Sequence, residues 1–469
     1  MPRLVSFALG VGAITLSLLA TAPVAHAGPY SDVASAFDPD DAFDLHLSFD
    51  YRLDIRRSAL FREDVGRPGT GPADGVPVVR DLVFAGSRHT LIPRLELGLF
   101  RDVALTAALP LVLSDQRTLE LDQRDTPCTF TDPGATCVNR STSSTFRDGL
   151  LTGTGFDGQA GGAGFDADDP TVFRAPRRSG LDQIHVGLVW APMNQVRDET
   201  KPTWKLGVEG RFPVGKVATI DAARLDASTG VGRGVTEVRL WTSMARRIGW
   251  AEPYVEAWWQ APVSVKDDSL FADPGFGARS TLPQQQGGLR FGFEGYAVDQ
   301  GDDGARMALE LSARVVGHFE GRNYTELWEV FALAGDASGS GPMILDADPT
   351  TDGRQAIDHP GVTNVENYLE VGGRVAARIA VGQRFRLAAA FELTAENEHV
   401  ITFTDAGVDL PECRGAPSAS CEVVNDELVT PGTAEVNPLH VPTTDLIGHR
   451  YRSADVFNYV IGVSAQFLF

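Results

Sequence analysis

A strict period of two constrains this chain more than any other feature. From Phe43 the apolar side chains fall on Phe43, Leu45, Leu47, Phe49, Tyr51, Leu53 and Ile55. Asp44, His46, Ser48, Asp50, Arg52 and Asp54 stand between them. Successive side chains of an extended strand point to opposite faces, so this stretch has one apolar and one polar face. A soluble sandwich packs such an apolar face on a second sheet, whereas a transmembrane barrel turns it to lipid and its polar face to the lumen. One strand does not choose between them.

The ends of the chain discriminate. Phe457, Tyr459, Ile461, Val463, Ala465, Phe467 and Phe469 alternate with Asn458, Gly462, Ser464 and Gln466, and the sequence stops on the aromatic Phe469. In a soluble protein this edge invites pairing with other chains. The segment resembles the C-terminal signature of Gram-negative outer-membrane barrels, and that resemblance implies recognition by the barrel assembly machinery. At the other end, Arg3, an apolar run from Leu4 to Ala20 and Ala25-His26-Ala27 read as a secretory signal, residues 1–27, cleaved before Gly28. Residues 28–41 then form an N-terminal periplasmic segment, long enough to fold back as a plug or to hang free as a tail. Residues 42–469 form the barrel. The expected localisation is the Gram-negative outer membrane, with lipid and lipopolysaccharide around the wall.

The same periodicity predicts strands near 43–56, 88–99, 102–113, 182–191, 203–214, 235–246, 253–263, 287–298, 306–319, 367–381, 384–395 and 456–469. The fold expected is all-β, an antiparallel up-and-down transmembrane barrel of about twelve strands, with fourteen as the alternative. Short connections near 100–102, 192–202, 247–252, 299–305 and 382–383 alternate with long ones at 57–87, 114–181, 215–234, 264–286, 320–366 and 396–455. One rim of short periplasmic turns and one of long outer loops gives that alternation.

Charge narrows the partners. With 41 Lys+Arg against 62 Asp+Glu among 469 residues, the net charge is −21, which leaves no basic surface for nucleic acid. No internal stretch approaches the ~20 apolar residues of a spanning helix. On the lumen face, alternation places the acids Asp44, Asp50, Asp54, Glu96, Glu209, Glu237, Glu256, Glu294, Glu310, Glu370 and Glu392. The bases on that face are Arg52, Arg56, Arg94, Lys205, Arg211, Arg239, Arg290, Arg314, Arg374, Arg378 and Arg386. His46 joins them. The wall is therefore expected to be nearly neutral, without strong ion selection, and the excess negative charge to sit in loops and turns.

Other chemistry finds little footing. His46 and Ser48 have the spacing of an outer-membrane phospholipase pair, but Leu45 precedes the histidine where such enzymes have Asn, and both residues face the lumen rather than lipid. No catalytic residue, cofactor or metal is assigned. Asp166, Asp168 and Asp169, like Asp346, Asp348 and Asp352, read as solvated acidic loops, since Thr350 and Gly353 misfit a calcium loop. Cys128 with Cys137, and Cys413 with Cys421, lie in long loops and are expected to form two local disulfides in an oxidising compartment. The mixed-period stretch Tyr324–Phe331 suggests a short helix, folded into the mouth or packed on the rim.

One stretch adds a family likeness. Gly180-Leu181-Asp182-Gln183-Ile184-His185-Val186-Gly187-Leu188, Ala191-Pro192, and Pro202-Thr203-Trp204-Lys205-Leu206-Gly207-Val208-Glu209 lead to Phe212-Pro213-Val214-Gly215-Lys216. This run resembles the strand–turn–strand signature of the phenol meta-pathway outer-membrane transporters. The resemblance implies uptake of small, often aromatic or hydrophobic, compounds. The leading expectation is thus a non-enzymatic channel for small solutes. A closed barrel presenting its long loops is the alternative, and a Ser48-dependent hydrolase the third.

Overall fold

A computed structural model describes residues 30–37, 44–66, 75–122, 137–148, 150, 171–221, 224–272, 282–301, 304–335, 345–346, 354–355, 361–402 and 443–469. The leader 1–27, three of the four cysteines (128, 413, 421) and most of the acidic loop residues, including 166, 168, 169, 348 and 352, lie outside them.

Twelve antiparallel strands close into a barrel. They are β1 (Leu45–Glu63), β2 (Val78–Phe100), β3 (Val103–Ala108 continuing as Leu111–Leu121), β4 (Gln183–Met193), β5 (Thr203–Pro213) and β6 (Val235–Ala245). The ring continues through β7 (Ala251–Val265), β8 (Gln286–Asp299), β9 (Ala305–His318), β10 (Tyr368–Val381), β11 (Phe385–Glu396) and β12 (Tyr451–Leu468). Each pairs with the strand before and after it in the chain, and β12 returns to β1 in register from His46↔Leu468 to Arg62↔Tyr451. Pro110 has no N–H to give to a ladder, which accounts for the break inside β3.

The five short turns fall where the alternation of loop lengths puts them. Their tight reversals use left-handed backbone at Asp102, Gly249, Gly301 and Gly382, with φ between 55° and 81°. The six long connections leave from the opposite rim. On that side β1 and β2 run well past the ~9–11 residues a tilted strand needs to cross the bilayer, at 19 and 23 residues.

Side-chain direction follows the sequence period. Leu289, Phe291, Phe293, Leu309, Leu311, Val375, Phe391, Ile461 and Val463 point outward and are all about half exposed, at 41–54%. Phe100, Trp190, Trp250 and Phe469 edge this belt near the short turns, and Phe212, Trp259 and Phe319 edge it near the loops. A wall with unpaired strand edges or outward charges at mid-depth is not viable in hydrocarbon, and closure with an apolar belt removes both costs.

Candidate functional site: the barrel interior

Many of the candidate lumen residues meet one another in ion pairs and hydrogen bonds. Arg94 bonds Asp50 at 2.6 Å, Arg52 pairs with Asp54 at 2.5 Å, and His46 lies 3.8 Å from Glu96. On the next wall Arg211 pairs with Glu209 at 2.7 Å, Arg239 with Glu256 at 3.3 Å, and Arg233 with Glu237 at 2.6 Å. Across β8 to β11 the pairs link into a network. Arg378 reaches Glu294 at 3.1 Å and Glu310 at 2.6 Å, while Arg314 reaches Glu370 and, at 2.7 Å, Glu392. Arg290 closes it on Glu392 at 3.0 Å. Lateral pairing of this kind holds neighbouring strands in register.

Depth separates the two signs. The carboxylate chains of Glu294, Glu310, Glu370 and Glu392 are 0–10% exposed, whereas those of Arg290, Arg314 and Arg378 are 15–26% exposed. Glutamate is the shorter side chain and its charge stays near the wall; the arginine head reaches toward the axis. A residue tally that balances therefore yields a surface that does not.

The interior also carries aromatic and amide groups that a search for charge alone passes over. Trp241 and Trp258 sit directly opposite each other on β6 and β7, in step with Arg239 and Glu256. Arg239 lies over the Trp258 ring at 4.6 Å. Tyr254, Tyr296 and Gln260 share the inward face of the same region. The signal was present in the period of two, since each lies an even number of residues from a lumen charge.

The segment 30–37 lies inside the barrel at the short-turn end. Tyr30 stacks on Tyr254 with ring centroids 3.7 Å apart, and Ser31 hydrogen-bonds Glu252. Asp32 pairs with Arg386 on β11 while its carbonyl accepts from Lys205 on β5 at 3.0 Å. Those strands are six apart in a ring of twelve, so the segment crosses from one wall to the other. Ser35 N–H donates to Asp44 at 2.8 Å, the Ala34 N–H to Glu96 at 3.3 Å, and Arg197 reaches the Ser35 hydroxyl at 3.0 Å. Burial pushes the Asp32 carboxyl up, but Arg386 and His46 outweigh it and hold the group at about 2.

The outer end holds a second obstruction. Helix α1 (Ser144–Arg147) is tied to β2 because Ser143 and Thr145 donate to Asp81 at 2.8 and 2.5 Å. Helix α2 (Trp328–Gly335) turns inward: Leu327, Trp328, Val330 and Phe331 are 0–1% exposed. Leu327, Val330 and Phe331 join an apolar cluster with Leu60, Leu82, Leu119, Ile401 and Tyr451 from the strand ends. The charges that go in with it are matched. Glu329 pairs with Arg178 at 2.8 Å, and Glu326 accepts from Arg56 at 2.7 Å and from Ser58 and Ser453 at 3.2 Å. Burial raises the Glu326 carboxyl, yet Arg56 and His399 outweigh it and hold it at about 2. The sequence places a helix here, four residues early at each end, and leaves its direction open.

Between the obstructions lie two adjoining cavities. One, of about 460 Å³, is lined by Asp50, Arg94, Arg314, Arg374 and Gly462 among others. The second, of about 370 Å³, lies beneath α2 and shares Arg52, Arg314 and Val460 with the first. The inward residue Ser48 lies opposite Arg94 in the β1–β2 ladder. Cys137 is not a free thiol.

A closed hydrogen-bonded wall, an apolar belt outside and a charged, partly hollow interior define a membrane-spanning β-barrel. No known family's sequence profile matches the chain, and no curated protein does. Among solved structures it is similar to an outer membrane channel of Pseudomonas putida F1 at 10% identity, over 95% of this chain and 99% of that one, with a TM-score of 0.40. A FadL homologue of Pseudomonas aeruginosa matches at 10% identity, 91% and 90% coverage, TM-score 0.32. The outer membrane protease OmpT of Escherichia coli matches at 8% identity, 91% and 98% coverage, TM-score 0.28.

Proposed function

We propose that this barrel is an outer-membrane channel for small molecules, delivered after export with residues 1–27 removed and folded by the barrel assembly machinery. The carrying observation is the pair of adjoining cavities along a polar interior, with a combined size suited to solutes rather than to polypeptide. A wall stabilised only by packing would fill that space. Residues 28–41 act as a periplasmic plug in this reading, and α2 as an outer constriction. The lumen residues from Asp44 to Glu392 line the path of the solute and catalyse nothing. Lipopolysaccharide surrounds the outer half of the wall, and the pairs Cys128–Cys137 and Cys413–Cys421 brace the loops.

The apolar cluster around α2 favours a second reading, a closed barrel whose long loops meet other partners. Conductance of the refolded protein in planar bilayers separates the two. Steady current in the intact chain, or current that appears when residues 28–41 are deleted, supports the channel. Silence in both, with the barrel folded by its heat-modifiable gel mobility, supports the closed barrel.

A further inference from the structure

The larger cavity is lined by eight arginines and three carboxylates. Most of the guanidinium groups are engaged by carboxylates set behind them in the wall, as the pairs above describe. Arg374 is different. In the β10–β11 ladder it stands directly opposite Glu392, but both oxygens of that carboxylate are taken, one by Arg314 at 2.7 Å and one by Arg290 at 3.0 Å. Its neighbour across the β9–β10 ladder is Ser312, whose hydroxyl donates to Glu310 at 3.3 Å. Among the described residues Arg374 makes no hydrogen bond or ion pair and feels Glu310 only through space. A planar fork of donors thus lines the cavity while the carboxylate across from it is already engaged at both oxygens.

The cavity wall beside Arg374 is small and apolar, formed by Ala388, Ala390, Val460 and Gly462 on the adjoining strands β11 and β12. We propose that this cavity is a binding site for a small organic anion, its carboxylate on Arg374 and its apolar body against the alanine face of β11. The inference deepens the channel reading by naming the solute class. It runs against the net charge of −21, because the local surface, not the total, sets the field at the site. A bidentate guanidinium–carboxylate pair in a partly desolvated lumen is among the stronger polar contacts available.

The test uses the full mature chain in detergent, titrated calorimetrically with benzoate and with benzylamine, which match in size and differ in sign. Expected is saturable binding of benzoate, no comparable binding of benzylamine, and a loss of at least about tenfold in benzoate affinity for Arg374→Gln, about 1.4 kcal/mol. Arg101→Gln, on an exposed short turn, should bind as wild type. Heat-modifiable gel mobility checks that each variant is a folded barrel. Equal binding of the two probes, or unchanged benzoate affinity in Arg374→Gln, overturns the site. Planar-bilayer current separates this from the channel reading. Benzoate binding with no current in either the intact chain or the 28–41 deletion refutes the channel and leaves the site, and current without the benzoate preference does the reverse.

Discussion

Tyr30 lies flat against Tyr254, the ring planes within 14° and the centroids 3.7 Å apart. This stack joins the polar contacts that hold the segment, and it buries an aromatic face that would meet water if the segment left. Tyr30→Ala should weaken docking of residues 30–37 without touching the wall. The expected outcome in planar bilayers is a larger or more frequently open conductance, approaching that of the 28–41 deletion, while thermal unfolding of the barrel stays within a few degrees of wild type. Identical current in wild type, Tyr30→Ala and the deletion would show that the segment does not obstruct the path.

How much of this was legible beforehand depends on whether lipid imposes the pattern. Within the membrane each strand must alternate, and β4, read as 182–191, is Gln183–Met193. Beyond the membrane that demand ends. β1 continues past a register shift at Arg57/Ala59 to Glu63, and its adjacent Ala59 and Leu60 are both buried under the loops. β3 continues to Leu121 through Ser114-Asp115-Gln116. Both stretches read as loop because no period of two survives in them. The charges of the interior were legible by the same alternation, but their depth was not, since it follows from side-chain length and cross-strand pairing. The docking of Asp32 between Lys205 and Arg386 has no local signal at all; it is a match between segments 173 and 354 residues apart.

The outer constriction rests on a buried ion pair. Arg178 and Glu329 are 2% and 3% exposed, so removing one partner strands a charge where water does not reach, a cost of about 3–5 kcal/mol. Arg178→Ala should release α2, seen as faster amide hydrogen exchange in Trp328–Gly335. The exchange rates of β8 and β9 should be unchanged. Replacing both, Arg178→Met with Glu329→Leu, should restore most of the protection, because an apolar pair of similar volume pays no desolvation. Protection lost equally in the single and double variants would mean that the pair is not what seats the helix.

Acid should loosen the same cap through Glu326. Its carboxyl falls from an ordinary 4.5 to about 2 in the folded cap, so it stabilises the closed form fully above about pH 4.5. That contribution is lost as the pH falls from 4.5 through 2. The shift corresponds to a stabilisation on the order of 3 kcal/mol. The groups facing it are Arg56 and Ser58 on β1, Ser453 on β12, and His399, with Glu396 on the far side of Arg56. Trp328 fluorescence followed from pH 6 to 2.5 should report exposure of the helix in this window, and Glu326→Gln should show a weaker cap at pH 6 with a flatter acid response. An identical acid transition in the variant would assign the change to other carboxylates.

The two lumen tryptophans are accommodated by missing side chains on the strands beside them. A Cβ on Gly207 would stand 2.1 Å from the Trp241 indole, and one on Gly288 would stand 2.6 Å from that of Trp258. Both distances are well inside van der Waals contact, so any larger residue forces the ring out of its seat. Trp258 is also the ring that Arg239 covers, and displacing it removes that cation–π contact. Gly288→Val should therefore destabilise the barrel by about 1–3 kcal/mol, the usual cost of overpacking, and Gly207→Val should do the same. Gly301→Ala, in an open short turn with nothing near its Cβ but a φ of +81°, carries only backbone strain and should cost less. Denaturant unfolding in detergent micelles measures all three. A Gly288→Val barrel as stable as wild type would show that Trp258 has room to turn into the lumen, and the variant's conductance should then fall.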